Sequence, residues 1–384
     1  MAEYLKIENF GPIVDVELND IKPLTILIGE SGSGKSTIMK VLSLFRWMFK
    51  RVNLRSFIKL SGIKKTKLGF KTKPLLKKSG LLEYLRDDSR IVYRNGRYVI
   101  TMEHKSTKVN VNIMDAEDLS LEKICFISDK RSIIPDILSS SVDRHKDNFY
   151  LQDTLDNFRE ATKFVNELQM NFIGVSFKVE KTKNAGLQYK ITRSDEETGY
   201  NINLRNASSG MQTATPLSVI MEYYSSYYKV EDSMNSALLK YFADNDDLKN
   251  FRANMNVGDF PNKRVHIFIE EPELSLYPDN QTALVDFLIE KCFPDHRSYE
   301  MTLMMATHSP YIVNYINLLM ARAGKESATD NAKISSDKVD VYLVCDGYLS
   351  QLKMTNNGKP IIDTSILSDP IAEIYSEYNS LNQQ

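Results

Sequence analysis

The chain has 384 residues, 49 Lys and Arg against 50 Asp and Glu, a net charge of −1, and 42% hydrophobic and 26% charged residues. That balance fits a globular chain with a sizeable core, in two to three domains or one large α/β domain carrying insertions, and it excludes wholesale attraction to nucleic acid. The N-terminus lacks the apolar core of a secretory signal, no apolar run approaches the roughly 20 residues of a membrane span, and Cys125, Cys292 and Cys345 form no C-x-x-C pair, so the expectation is a cytoplasmic protein with three buried, reduced thiols and no membrane partner.

Tyr4-Leu5-Lys6-Ile7-Glu8-Asn9-Phe10 alternates apolar and polar residues, and so does Ile13-Val14-Asp15-Val16-Glu17-Leu18 after the turn signal Gly11-Pro12. An antiparallel pair is predicted. Leu24-Thr25-Ile26-Leu27-Ile28 reads as a buried strand. It runs into Gly29-Glu30-Ser31-Gly32-Ser33-Gly34-Lys35-Ser36-Thr37 and then an amphipathic helix with Ile38, Met39, Val41, Leu42, Leu44 and Phe45 on its apolar positions. Strand, glycine-rich loop and helix are the setting in which G-x-x-x-x-G-K-[ST] binds phosphate. The glycines let successive N–H groups turn inward on phosphate oxygens, and the helix dipole adds to the attraction. Gly29 to Thr37 is thus the expected cradle for ATP, with Lys35 on the β- and γ-phosphates and the Ser36 hydroxyl on Mg²⁺.

Arg46 to Lys78 contains no acid and is broken by Gly62, Gly69 and Pro74. Residues 46–115 are read as an insertion, basic at first and β-rich after. The basic part is either a surface for nucleic acid or an acidic partner, or a solvated face whose acids come from elsewhere. Sparse aromatics between the lysines (Phe57, Phe70) do not suggest a base-stacking platform. Further on, residues 90–100 predict a hairpin about Asn95-Gly96, 109–113 a strand, and Lys123-Ile124-Cys125-Phe126-Ile127 a buried strand. Residues 150–170 carry helical spacing, while 172–179 and 186–192 read as paired strands. Helices are expected over 216–228, with Tyr223-Tyr224 and Tyr227-Tyr228 at its core edge, and more loosely over 233–255. Residues 339–344 form a strand, Asp346-Gly347 a turn, and a terminal helix begins near Ile371. No heptads, repeats or low-complexity tracts appear.

Three further pieces carry chemistry. Val265-His266-Ile267-Phe268-Ile269 ends in Glu270-Glu271-Pro272-Glu273. Pro and Glu also suit a helix start, but beside a P-loop the reading is that Glu270 holds the Mg²⁺ hydration shell and Glu271 polarises the attacking water as general base. Leu303-Met304-Met305-Ala306-Thr307 ends in His308, whose imidazole would bond the γ-phosphate or that water. His266 lies within a strand, and His104, His145 and His296 sit among charged residues. Asn206-Ala207-Ser208-Ser209-Gly210-Met211-Gln212 is a small polar loop that either caps a helix or clasps a phosphate.

In sequence order these pieces resemble the ATP-binding-cassette head. The resemblance implies an α/β fold, an ABC/SMC-like P-loop ATPase head with an antiparallel β lobe and a helical lobe, in one domain over 1–384. Residues 206–255 would hold the signature loop and helical lobe. It assigns Ser208, Ser209 and Gly210 to the signature loop that meets a second protomer's γ-phosphate, Glu271 to the catalytic glutamate, His308 to the switch histidine, and Leu274-Ser275-Leu276-Tyr277-Pro278 to the D-loop. Glu-Glu-Pro-Glu-Leu-Ser-Leu-Tyr-Pro and Ala-Thr-His-Ser-Pro are similar to the overcoming-lysogenization-defect (OLD) ATPases. No Q-loop glutamine is evident, and Arg131 in Ser128-Asp129-Lys130-Arg131 is expected to take part of its role. Too little chain follows His308 for a Toprim nuclease domain. The chain therefore resembles the stand-alone ATPase of two-gene antiphage systems, PARIS-type or Septu-type, and implies a homo-oligomer, a separate toxin or nuclease effector and a phage trigger protein. The competing readings are a chromosome-maintenance or recombination ATPase that clamps DNA, and a scaffold that binds ATP without cycling it.

Overall fold

The computed structural model describes residues 2–66, 68–103, 106–110, 112–139, 149–182, 186–194, 199–245, 247–252, 256–294, 297–324, 332–356 and 359–381; the side chains of 356, 366 and 368–371 are also left undescribed. His104, His145, His296 and the last residues of the helix expected over 233–255 lie outside them.

Strands β1 (Glu3–Phe10) and β2 (Ile13–Leu18) form the expected hairpin and lead into β3 (Leu24–Ile28), buried at every residue. Helix α1 (Lys35–Leu60) starts at the P-loop lysine and does not stop where the basic stretch begins. Residue 46, the expected start of a 46–115 insertion, therefore lies in the middle of a helix. The basic residues masked a continuous apolar face on which Phe45, Met48, Phe49 and Val52 are all buried.

Beyond it come α2 (Thr72–Lys78), β4 (Leu85–Asn95), β5 (Tyr98–Glu103), β6 (Ser106–Val109) and β7 (Ser120–Ile127). The Asn95-Gly96 turn falls where predicted, with Gly96 at φ +57°. The strand expected at 109–113 instead ends at Val109. Next are α3 (Ile134–Ser139), α4 (Phe149–Ala161) and four strands, β8 (Glu167–Met170), β9 (Val175–Thr182), β10 (Gly186–Arg193) and β11 (Tyr200–Asn203). Helical spacing over 150–170 thus holds only to Ala161. Helix α5 (Ser209–Ser226) opens seven residues before Pro216, and α6 (Val230–Asp244) follows. The remainder is β12 (Asn262–Glu270), α7 (Pro278–Cys292), β13 (Glu300–Thr307), α8 (Pro310–Ala323), β14 (Val339–Cys345), β15 (Tyr348–Gln351), β16 (Lys353–Asn356), β17 (Lys359–Ile362) and α9 (Ser365–Leu381).

Among the described residues the main sheet has eleven strands, ordered β6-β5-β4-β1-β2-β15-β14-β3-β13-β12-β7. Its centre, β14-β3-β13-β12-β7, is parallel and its other half is an antiparallel wing. Wing and centre meet at one parallel pairing, Tyr348 with Asp15, reinforced by Val14 and Asp15 N–H groups donating to the Gly347 carbonyl at 3.0 and 3.2 Å. The fold is α/β. The helical part holds α3 to α6 and also its own four-stranded sheet, β11-β10-β9-β8.

Charges expected on a basic surface are partly interior. Arg46 is buried, with Nη2 2.6 Å and Nε 2.8 Å from the Glu3 carboxylate, which also accepts from Tyr93 at 2.7 Å. Lys50 is half-buried and bonds Ser233. A second buried set, His266 between Glu122 (2.7 Å) and Thr302 (2.8 Å), lies beside the first, with Arg46 Nη1 3.4 Å from the same threonine. Cys125 and Cys292 are buried as expected, but Cys345 is exposed, because β14 ends there.

The Glu3 pair sets an acid limit. Burial alone would raise the Glu3 pKa, but the Arg46 charge and hydrogen bond, helped by His266 and Tyr93, outweigh it and hold the group at about 2 instead of 4.5. A depressed carboxylate contributes stability that is complete above the unfolded value and is lost as pH falls through the folded one. Urea-unfolding stability is therefore expected to fall from about pH 4.5 towards 2, and Glu3→Gln to flatten that part of the profile.

Candidate active site

Strands β3, β13, β12 and β7 lie side by side and parallel, so their carboxyl ends form one row, the place where open α/β sheets bind ligands. Pairing of Ile28 with Thr307, Ala306 with Glu270, and Ile269 with Ile127 brings the P-loop, His308, the acidic pair and Ser128-Asp129 to the same level.

The P-loop is wedged between neighbours. A Cβ on Gly29 would sit 2.2 Å from the Val344 carbonyl oxygen, and one on Gly34, at φ +111°, would sit 2.5 Å from Ile13 Cδ1. Only glycine fits either place. Lys35 Nζ donates to the carbonyls of Gly29 (2.8 Å) and Glu30 (2.7 Å), which aims the ammonium into the loop. Its burial lowers the pKa, opposed by the Glu271 and Glu273 charges. A cavity of about 630 Å³ opens over the outer face of Gly29 to Ser33, bounded by His308 and the Leu343–Gly347 corner. Ser36 and Thr37 lie on the first turn of α1.

Glu270 is the most enclosed acid at the row. Burial raises its pKa against the pull of Lys40, whose Nζ is 3.3 Å from Oε1. The nearby Ser36 hydroxyl also favours its charged form, and the Ser128 hydroxyl lies 3.4 Å from Oε2 and 2.8 Å from Asp129. Among the described residues no three His, Cys, Asp or Glu gather as a metal cage. A hydroxyl and one buried carboxylate suit Mg²⁺ when phosphates and water complete the octahedron, so Ser36 and Glu270 fit that ion.

Glu271 has φ +44°, a conformation non-glycine residues seldom adopt outside constrained sites. It is held there from both sides: its N–H donates to Ala306 at 2.8 Å and its carbonyl accepts from Arg131 at 2.5 Å. Glu271 Oε1 is 3.7 Å from His308 Nε2, and both side chains are about a third exposed. The His308 N–H donates to Glu273 Oε1 at 2.6 Å.

Arg131 does not fill the place of a Q-loop glutamine. It is fully buried, donates to the carbonyls of Ser128 (3.1 Å), Glu270 (2.7 Å), Glu271 (2.5 Å) and Thr213 (3.1 Å), and does not line the cavity. Burial lowers its pKa to about 10, still protonated at neutral pH.

Ser208 and Ser209 are exposed and Gly210 half-buried at the start of α5. Ser208 occupies the N-cap position, yet its hydroxyl makes no capping bond, so the capping alternative does not hold. None of the three lines the P-loop cavity. They stand instead beside residues 274–278 of their own chain, where a Cβ on Gly210 would lie 2.8 Å from the Ser275 carbonyl oxygen. Sequence reasoning gave no role to Lys40, Asp129, Glu273 or Gln281. Lys40 was recoverable, since it is four residues beyond Ser36 and so on the same helix face; Asp129 became significant only once β7 was placed beside β12.

A family model described as AAA ATPase domain (AAA_15) matches residues 1–128 and 70–313. No curated protein matches the chain. Similar solved structures include the SMC head domain from Thermotoga maritima, at 12% identity over 93% of this chain and 100% of that one, TM-score 0.35. Another is the recombination mediator protein RecF in the RecFOR pathway, at 10% identity over 91% and 98%, TM-score 0.33. A third is MJ1267, an ATP-binding cassette of an ABC transporter, at 13% identity over 98% and 99%, TM-score 0.34. Since the second matched segment alone spans more than half of the 384 residues, the chain belongs to the AAA ATPase domain family AAA_15.

Proposed function

We propose that this protein binds ATP with Mg²⁺ and hydrolyses it between two copies arranged head to tail, and that closing and opening of the pair holds or releases a separate toxin nuclease in an antiphage system. One observation carries the two-copy reading: Ser208 and Ser209 are exposed at a helix start and, with Gly210, do not line the cavity over Gly29 to Ser33 of their own chain. They are thus available to another copy's cavity. In this reading the Gly29–Thr37 loop and Lys35 bind the phosphates. Ser36 and Glu270 hold Mg²⁺, which neutralises phosphate charge when bound. Glu271 orients the attacking water and accepts its proton, and His308 reaches the γ-phosphate from the facing side. Rate enhancement is then mostly positioning and electrostatics.

The effector reading rests on the motif resemblance of residues 270–278 and 306–310 to the OLD ATPases. A trigger from phage would act on the same pair. The DNA-clamp alternative is weakened by the burial of Arg46, leaving exposed Lys64, Lys65, Lys71, Lys73, Lys77 and Lys78 and half-buried Lys50, Arg51, Arg55 and Lys59 to carry it; tight, salt-sensitive duplex binding would favour it. The non-cycling scaffold is separated by phosphate release with and without the effector.

Mixing two inactive variants tests the shared site. Lys35→Ala and Ser209→Arg should each abolish ATP hydrolysis, while their mixture regains part of it, because one of the two composite sites then has both an intact P-loop and an intact signature loop. A mixture as dead as its components would overturn the two-copy reading.

A further inference from the structure

The turn that carries His308 is fastened to the D-loop at two points. Glu273 Oε1 accepts the His308 N–H at 2.6 Å. The Ser309 hydroxyl donates to Gln281 Oε1 at 2.5 Å, and Gln281 Nε2 donates on to the Leu276 carbonyl at 2.8 Å. Gln281 is 8% exposed, so both ends of its amide are committed in a water-poor place. Glu273 has a second oxygen, Oε2, that is buried and has no hydrogen-bond partner among the described residues. Such a half-satisfied carboxylate is costly, which argues for a role other than stability.

The loop between these anchors is exposed and poised against the signature helix. Ser275 has φ +61° and Tyr277 is 71% exposed. Thr213 at the start of α5 donates its hydroxyl to the Leu274 carbonyl at 2.9 Å. A surface pressing on Ser275 and Tyr277 would therefore move Leu276, Gln281 and Ser309 together, and His308 with them relative to Glu271.

We infer that Glu273 and Gln281 are positioning residues, straps through which the D-loop sets the place of the His308–Ser309 turn over Glu271 and so couples arrival of a second copy to hydrolysis. This rests on the roles of Glu271 and His308 proposed above.

The test uses the full chain and reads two things. Amide hydrogen exchange reads the straps without requiring hydrolysis; steady-state phosphate release from ATP reads their consequence. Gln281→Met keeps the length and removes both polar ends. It should speed exchange at residues 308–313 and 275–277 by about fivefold or more, leave β3 and β12 unchanged, and lower kcat about tenfold with KM for ATP within about twofold. Gln281→Glu keeps the acceptor for Ser309 and loses the donor to Leu276; exchange should rise at 275–277 alone. Glu273→Ala should release the His308 amide, and Glu273→Gln should restore its protection. Unchanged exchange at 308–313 in Gln281→Met, or faster exchange spread evenly over the sheet, would overturn the straps. Absence of phosphate release from the unaltered protein would instead overturn the ATPase reading, with the exchange result still deciding the contacts.

Discussion

Glu271→Gln should reduce ATP hydrolysis by about 10²–10³-fold, the range expected for loss of a positioned general base with orientation also disturbed. The change keeps size and hydrogen-bonding reach but removes the charge that accepts a proton from water. It should spare the backbone: the φ of +44° is fixed by bonds to Ala306 and Arg131 that involve only main-chain atoms of residue 271. Nucleotide affinity should therefore persist, and a nucleotide-filled pair of copies should accumulate. Phosphate release and light scattering with ATP and Mg²⁺ check both halves. Unchanged turnover would remove Glu271 from its role, and turnover lost together with nucleotide binding would point to collapse of the β12 end.

Arg131→Met should be the most destabilising single change at the site, costing on the order of 3–5 kcal/mol of unfolding free energy, as when one member of a buried, charge-assisted network is deleted. Four carbonyls from three segments of chain, residues 128, 270–271 and 213, converge on one guanidinium that is 0% exposed. Removing it takes a donor from each of those carbonyls, leaving Ser128 with the residue-131 N–H at 3.2 Å and Glu271 with the Leu274 N–H at 3.1 Å, and loosens the hold on the Glu271 carbonyl. Lysine would not rescue the network, because an ammonium lacks the planar fork that serves several acceptors at once. Urea denaturation checks the magnitude; a loss below about 1 kcal/mol would mean that water replaces the side chain.

The site was legible where chemistry is local in sequence. The P-loop sits between its strand and helix, and Glu270-Glu271 and His308 each follow an apolar run, so residue type and spacing suffice. What escaped depends on partners distant in the chain. Arg46 reads as surface because its acid, Glu3, lies 43 residues away, and this concealed the second half of α1. Pro216 suggests a helix start, whereas α5 begins at Ser209 and carries the proline inside it. Beyond Ala161 the apolar residues Val165 and Leu168 continue the helical spacing by coincidence, serving a turn and strand β8. Arg131 shows the same limit: its sequence neighbours place it near the site, but only the fold shows that main-chain oxygens take four of its five N–H donors.

The central position of β3 has a consequence for how the protein is made. Leu24 pairs with Leu303 on one side and with Val339 on the other, so the strand that presents the phosphate loop has no sheet neighbours until residues some three hundred positions later have left the ribosome. The nascent chain carries its nucleotide-binding motif from the outset but can neither flank it nor use it until translation is nearly past Cys345. Long-range pairing of this kind is slow to form. During that interval an apolar segment waits unpaired.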